Sequence, residues 1–87
     1  MLTVAYEHQY HLLSAIAPLR AEIQNRLLNE RETSAALLAL VRQTEATLLL
    51  DNRLKQDLLI VESLIVLKRW QMALDRLQEA IMGTYMR

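Results

Sequence analysis

Pro18 and Gly83 are the only proline and the only glycine among the 87 residues of this chain. Strands are joined by tight turns, which depend on glycine, proline, asparagine and aspartate. A chain so poor in turn residues has little means of connecting strands, whereas its leucine, alanine, arginine and glutamate all favour helix. The sequence therefore predicts a single all-α domain over residues 1–87, with three or four helices in an antiparallel bundle or a helical hairpin array.

Hydrophobic periodicity predicts a first helix over about residues 3–30 and a second over about residues 34–50. Pro18 lacks a backbone N–H and crowds the preceding turn, so we expect a break or kink near 18, and a break rather than a bend. The polar segment at residues 29–34 is the best turn candidate. Ser34 is the expected N-cap of the helix that follows it.

A further helix is predicted over about residues 52–82, where Gly83 supplies the left-handed residue that commonly ends a helix. Asp51 and Asn52 are the only interruption before it. Either of these residues caps a new helix, or residues 34–82 form one continuous helix. The apolar stripe of the helix over 52–82 is Ile60, Leu64, Leu67, Trp70, Leu74, Leu77 and Ile81.

The first half of that helix is apolar on nearly every side, because only Glu62 and Ser63 are polar between Leu58 and Leu67. A domain of this size buries only about 60% of the surface of its unfolded chain, which is too little to enclose such a helix. Exposed apolar patches commonly mark interaction sites. We therefore expect a protein partner or self-association through apolar helix faces. The predicted interface residues are Leu58, Val61, Leu64, Ile65, Trp70, Met72, Leu74, Leu77 and Ile81.

The charge balance excludes several classes of function. Ten Lys and Arg residues offset ten Asp and Glu residues, and the largest basic cluster is Lys68-Arg69, so we expect no nucleic-acid binding. No stretch reaches the roughly 18 apolar residues of a membrane span, and the first residues do not have the pattern of a secretion signal. The absence of cysteine excludes a disulfide scaffold and fits a cytoplasmic protein.

Metal-ligating residue types occur together only near the start of the chain. Glu7, His8 and His11 share one helical face at spacings of three and four residues. A zinc or iron site needs three or four ligands with a supporting shell, and the sequence contains no Glu-x-x-His motif. We therefore interpret this cluster as a polar helix face and expect no metal. The serines have no recognisable histidine partner for nucleophilic catalysis.

Helical mutases of the chorismate type are similar to this chain in length, and they bind a dicarboxylate through Arg, Lys and Glu side chains. Arg20, Arg26, Arg42 and Glu45 are the residues that such a site would use here. Their spacing departs from the pattern of that family. We expect the stem of Arg20 to lie along apolar surface at the edge of an interface. Accordingly, we expect neither an enzyme nor a cofactor.

The segment from Trp70 to Ala80 resembles the second helix of a tetratricopeptide repeat, in which aromatic, small, large and small residues follow in order. Trp70, Ala73, Leu77 and Ala80 fit this order. Lys68 stands where the family has a turn glycine, and Val61 stands where it has a small residue. The resemblance implies a helical hairpin of the kind used by small bacterial type III secretion chaperones, which hold an aggregation-prone subunit before export.

Binding rather than catalysis is therefore the expected function. We interpret the chain as a small interaction module, a chaperone or adaptor that covers an apolar helix of a partner. The alternative is a homo-oligomeric bundle of structural or regulatory role, and a small helical enzyme comes third. Met72, Met82 and Met86 cluster with Tyr85 near the C-terminal end. Methionine side chains adapt to varied partners, but we favour a frayed terminus over a binding patch as the interpretation of this cluster.

Overall fold

Four α-helices make up the described part of the chain. The computed structural model describes residues 2–48 and 50–85, and the side chains of residues 8–48 and 50–84. The helices are α1 (Leu2–Gln24), α2 (Glu30–Thr47), α3 (Asn52–Val66) and α4 (Trp70–Tyr85). They pack antiparallel to one another, so the predicted all-α fold is confirmed.

The four helices close into a ring rather than an open array. The most extensive contact is between α3 and α4, and α4 also packs against α1. α2 contacts both α1 and α3, and it reaches across the bundle to α4. The radius of gyration of 12.6 Å is close to the value of about 12 Å expected for a compact domain of this length. Of the two predicted arrangements, the structure adopts the antiparallel bundle.

One cluster of aliphatic side chains from all four helices forms the core. Because a helix repeats every 3.6 residues, residues at steps of three and four reach the same interior side. Each large side chain that is fully buried contributes about 1.5–3 kcal/mol, so this packing outweighs the weak stability of isolated helices. The buried hydrophobic residues are Leu12, Ile16, Leu19, Leu37, Leu40, Val41, Leu54, Leu58, Val61, Ile65, Ala73, Leu74, Leu77, Ala80 and Ile81.

The predicted break near 18 is wrong, because α1 continues through Pro18 to Gln24. A proline inside a helix removes one backbone hydrogen bond and costs about 3 kcal/mol. Ile16 and Leu19, on either side of it, are both buried, so core packing holds the two halves of α1 in one helix. The ring of Pro18 itself lies on the exposed side.

α1 also ends six residues before the predicted limit at about residue 30, in a turn without glycine. Arg26 adopts a left-handed conformation with φ of 56°. The N–H of Arg26 donates to the carbonyl of Ile23 at 3.1 Å, and that of Leu27 donates to the carbonyl of Glu22 at 2.9 Å. These two bonds define a Schellman motif, which supplies hydrogen-bond donors to carbonyls that have no partner within the last turn of the helix.

The N-terminus of α2 is capped by Asn29, so the prediction that Ser34 is the cap is wrong. The side-chain oxygen of Asn29 accepts a hydrogen bond from the N–H of Glu32 at 2.8 Å. The carboxylate of Glu32 accepts one from the N–H of Asn29 at 3.0 Å. This reciprocal arrangement is a capping box. Ser34 lies inside α2, one turn after the cap, where its own N–H belongs to the helix.

Asp51 caps α3, which was one of the two alternatives left open by the sequence. Its side chain accepts a hydrogen bond from the N–H of Leu54 at 2.8 Å. The backbone between Thr47 and Asn52 is not helical where the structure describes it, so residues 34–82 do not form one helix.

The predicted continuous helix over residues 52–82 is wrong. Residues 67–69 separate α3 from α4, and Lys68 is left-handed with φ of 60°. Lys68 and Arg69 donate their N–H groups to the carbonyls of Ile65 and Leu64, which is a second Schellman motif. Gly83, the expected terminator, lies within α4 and does not have a positive φ. The sequence rule fails because a lysine occupies the position that usually belongs to glycine.

No helix in the described residues is both long enough and apolar enough to cross a membrane.

We predict that Asn29→Ala lowers the free energy of unfolding by about 1 kcal/mol, because it removes the side-chain acceptor of the capping box. Urea denaturation followed by far-UV circular dichroism measures this change. Asn25→Ala is the matched control, since Asn25 is exposed and lies in the turn after α1; its effect should stay within about 0.5 kcal/mol. An equal loss from both substitutions contradicts the capping role.

Candidate functional site

α3 carries large apolar side chains on the face that points away from the bundle. Leu59, Ile60, Val66 and Leu67 are 61%, 42%, 79% and 66% exposed. At 3.6 residues per turn, these side chains and that of Ser63 form two adjacent rows along α3 and its C-cap. We call Leu59, Ile60, Ser63, Val66 and Leu67 the outer stripe.

The opposite face of α3 is closed by the helices of the bundle. Leu54, Leu58, Val61 and Ile65 follow one another at steps of four, three and four residues, and each is at most 3% exposed. α3 packs against α4 on one side and α2 on the other. The stretch from Leu58 to Leu67 is therefore enclosed on one side only.

Most of the predicted interface residues lie inside the chain's own core. Leu58, Val61, Ile65, Leu74, Leu77 and Ile81 are buried between the helices of the bundle. Leu64 and Trp70 are partly buried and pack against that core. Met72 is 53% exposed, on α4. A partner that docks on the folded chain therefore reaches only Leu64, Trp70 and Met72 among the predicted residues.

The predicted stripe differs from the observed one because it assumed a continuous helix. Ile60 and Leu67 were placed in one row with Trp70, but the turn at residues 67–69 breaks the helical phase between α3 and α4. Within α3, the spacing of Leu54, Leu58, Val61 and Ile65 already marks the inward face. Given the turn, that spacing assigns the remaining apolar residues to the outward face.

Two open depressions lie beside the outer stripe on its α2 side. Leu59 borders a cleft of about 310 Å³ with Arg42 and Glu45 of α2, and with Leu50, Lys55, Leu58 and Glu62. Val66 borders a groove of about 380 Å³ with Glu30, Arg31 and Ser34 of α2, and with Ile65, Lys68 and Trp70. A helix lying on the outer stripe therefore has concave surface beside it at both ends.

The carboxylates around these depressions already contact cations of the same surface. Glu45 and Glu62 lie 3.4 and 3.3 Å from Arg42. Glu30 lies 2.7 Å from the Nζ atom of Lys68. These pairs are largely exposed, so each contributes little to stability. The groove beside Val66 is lined by two cations, Arg31 and Lys68, and by one carboxylate, that of Glu30, so it carries an excess of positive charge.

The predicted polar face near the start of the chain is exposed at His8 and His11. The side chain of Glu7 lies outside the described residues. Within the described side chains, no three His, Cys, Asp or Glu residues approach one another closely enough to hold a metal ion.

Arg20 joins α1 to α4 through polar contacts. Its guanidinium lies 2.8 Å from a carboxylate oxygen of Asp75 and donates to the side-chain oxygens of Gln71 at 2.9 Å and Gln78 at 3.4 Å. About a quarter of this side chain is exposed. Arg20 thus has a structural role at the α1–α4 boundary.

The other residues considered for a mutase-like site lie elsewhere in the bundle. Arg42 and Glu45 border the cleft between α2 and α3, whereas Arg20 borders a separate depression with other residues of α1 and with Gln78 of α4. Arg26 is exposed in the turn after α1. The described structure therefore does not gather these four side chains at one site.

The methionine cluster near the C-terminal end is described only in part. Met72 and Met82 are 53% and 52% exposed on α4. The side chain of Tyr85 and the whole of Met86 lie outside the described residues.

Comparison with known protein families, with characterised proteins and with solved structures finds no match for this chain. The functional reading of the outer stripe therefore depends on its geometry and chemistry.

We predict that the same substitution at two adjacent positions of α3 has a large effect on the free energy of unfolding at one position and almost none at the other. Leu58→Gln should lower the free energy of unfolding by about 3–5 kcal/mol, because it removes core packing and buries an amide. Leu59→Gln should change it by no more than about 0.5 kcal/mol, because that side chain faces outward. Urea denaturation monitored by circular dichroism measures both. Similar losses from the two variants contradict the assignment of faces.

Proposed function

We propose that this chain is a protein-interaction module that binds an apolar helix of a partner on the outer stripe, acting as a chaperone or adaptor. One observation carries the proposal: four large aliphatic side chains are exposed together on a single helix face. Isolated exposed leucines are ordinary on protein surfaces, whereas a contiguous apolar patch commonly marks a binding site.

The spacing of the outer stripe supports an α-helix as the bound element. From Leu59 to Leu67 the stripe extends about 12 Å, which corresponds to rather more than two turns of a partner helix. Apolar residues at three- and four-residue steps on both helices interlock when two helices pack side by side. Helix-on-helix docking through such anchors is a common mode of peptide recognition.

The energetics require more contact than the stripe provides. Completing the burial of the four exposed aliphatic side chains contributes about 4–7 kcal/mol, scaling about 1.5–3 kcal/mol per fully buried side chain by the exposed fraction of each. A micromolar complex needs about 8 kcal/mol after the entropic cost of association is met. The groove beside Val66 offers the additional surface, and half-buried Trp70 on its wall is the residue type most enriched among binding hot spots.

The chaperone role is the finer part of this proposal. The order of Trp70, Ala73, Leu77 and Ala80 resembles the tetratricopeptide-like hairpins of small type III secretion chaperones. Ala73 and Ala80 are 0% and 2% exposed in α4, and small buried residues allow close helix approach. A chaperone of this kind would shield the apolar face of a helix that otherwise aggregates.

We predict that Leu59→Gln combined with Val66→Gln weakens helix binding at least about tenfold, equivalent to about 1.4 kcal/mol. The probe is a fluorescent, uncharged synthetic peptide of about four helical turns, with leucine on one face. Anisotropy titration measures its dissociation constant. The stability of the double variant should match that of the wild type, because both side chains face outward.

Met72→Gln is the matched control, because Met72 is similarly exposed but lies on α4 outside the stripe. It should change the dissociation constant by less than about twofold. Equal binding by the wild type and the double variant contradicts the proposal. So does an absence of peptide binding to the wild type at a concentration of about 1 mM.

A further inference from the structure

We infer that the helix bound on the outer stripe belongs to a different protein and carries carboxylates at the end that meets the α3–α4 turn. This inference rests on the proposed function, because it specifies the chemistry of the partner at the same surface. It depends on the distribution of charge around the stripe rather than on the apolar side chains themselves.

Positive charge collects at the α3–α4 end of the stripe. Arg31 and Lys68 line the groove beside Val66, and Arg69 follows Lys68 in the same turn. The one carboxylate lining that groove belongs to Glu30, and it already pairs with Lys68. Arg31 and Arg69 are exposed, and neither pairs with a carboxylate within the described residues.

Negative charge near the stripe is balanced by cations of the chain. Glu62, on the α2 side of α3, and Glu45 share the guanidinium of Arg42, and Lys55 supplies a second cation in the same cleft. Each carboxylate that borders the two depressions therefore already contacts a cation, whereas the cations Arg31 and Arg69 have no carboxylate partner among the described residues. Complementarity of potential then favours a partner that brings negative charge.

A second copy of this chain fits these charges poorly. If two copies of α3 pair antiparallel around Ser63, Lys55 of each copy approaches the turn that holds Lys68 and Arg69 of the other. In a parallel pairing, each cation approaches its own counterpart. Both arrangements bring like charges together, which costs affinity and disfavours the wrong partner. An acidic helix instead meets cations at the α3–α4 turn.

We expect these charges to increase the selectivity for acidic partners and the rate of association with them. Single exposed ion pairs are weak, whereas the summed field of a basic rim steers an acidic partner and disfavours a basic one. Because exposed charges are screened, the preference should shrink between about 0.01 M and 0.15 M salt, where the Debye length falls from about 30 Å to about 8 Å.

Three fluorescent peptides with the same leucine face test the inference with the full chain. One has glutamates beside one end of the leucine face, the second has lysines at those positions, and the third is the uncharged peptide. We expect the wild type to bind the glutamate peptide at least about tenfold more tightly than the lysine peptide at low salt. Arg31→Glu with Arg69→Glu should abolish or reverse that order, when the affinity for each charged peptide is expressed relative to that of the same variant for the uncharged peptide.

Arg53→Glu is the control for a charge reversal away from the α3–α4 turn, because Arg53 is exposed on α3 and lines the separate cleft with Arg76 and Glu79. It should preserve the order of the peptides. The wild type could instead bind all three peptides equally, with the affinity for each reduced by Leu59→Gln combined with Val66→Gln. That result overturns the inference and leaves the proposed function intact. Binding of none of them by the wild type overturns both.

Other occupants have their own signatures. Light scattering at both salt concentrations tests the second copy: a dimer that Leu59→Gln with Val66→Gln converts to a monomer overturns the inference. Sedimentation with vesicles containing phosphatidylserine tests an anionic membrane surface. Co-sedimentation that requires Leu59 and Val66, without a preference for the glutamate peptide, also overturns it. The inference is supported if the chain is a monomer, does not sediment with the vesicles and binds the glutamate peptide most tightly.

Discussion

A helix at the corner of a four-helix ring has neighbours on only part of its circumference, and this constraint dominates the chain. α3 packs against α4 and α2, which together cover the face that holds Val61 and Ile65. The sequence nevertheless places aliphatic residues around the whole helix. Those on the far side, including Leu59 and Val66, remain exposed, because the chain has no fifth helix to cover them in the described structure.

The fold class was predictable because it depends on summed preferences. A chain with one glycine and one proline has few alternatives to helix, and buried residues at steps of three and four position each helix. The ends of the helices depend on single residues and were less predictable. Arg26 and Lys68 adopt left-handed conformations that cost about 1–2 kcal/mol for a residue with a Cβ atom, and the Schellman hydrogen bonds stabilise both.

The start of α2 carries a signal in the sequence. Asn29 is followed three residues later by Glu32, which is the spacing of a capping box, although the motif is usually written with serine or threonine at the first position. The preference of serine for the N-cap position favours Ser34 instead, five residues too late. Pro18 shows the converse case, since its local preference for a break is real but is outweighed by the burial of Ile16 and Leu19.

The exposed apolar surface of α3 was predictable in its location but not in its face. The excess of apolar residues between Leu58 and Leu67 predicts exposed aliphatic side chains there, because it is a matter of composition. Which residues point outward depends on helical phase, and the phase is interrupted by a turn whose left-handed residue is Lys68. This turn, which makes the observed stripe differ from the predicted one, ends α3 beside Arg69.

That turn links the fold to the proposed selectivity. A glycine at the left-handed position would be less strained, but it would remove a cation from the end of the stripe. Lysine there closes the helix, pairs with Glu30 at 2.7 Å and adds to the basic rim. An apolar face without such a rim binds any exposed apolar helix, whereas charge beside it rejects unsuitable partners. Lys68 therefore combines the left-handed turn that ends α3 with a cation beside the outer stripe.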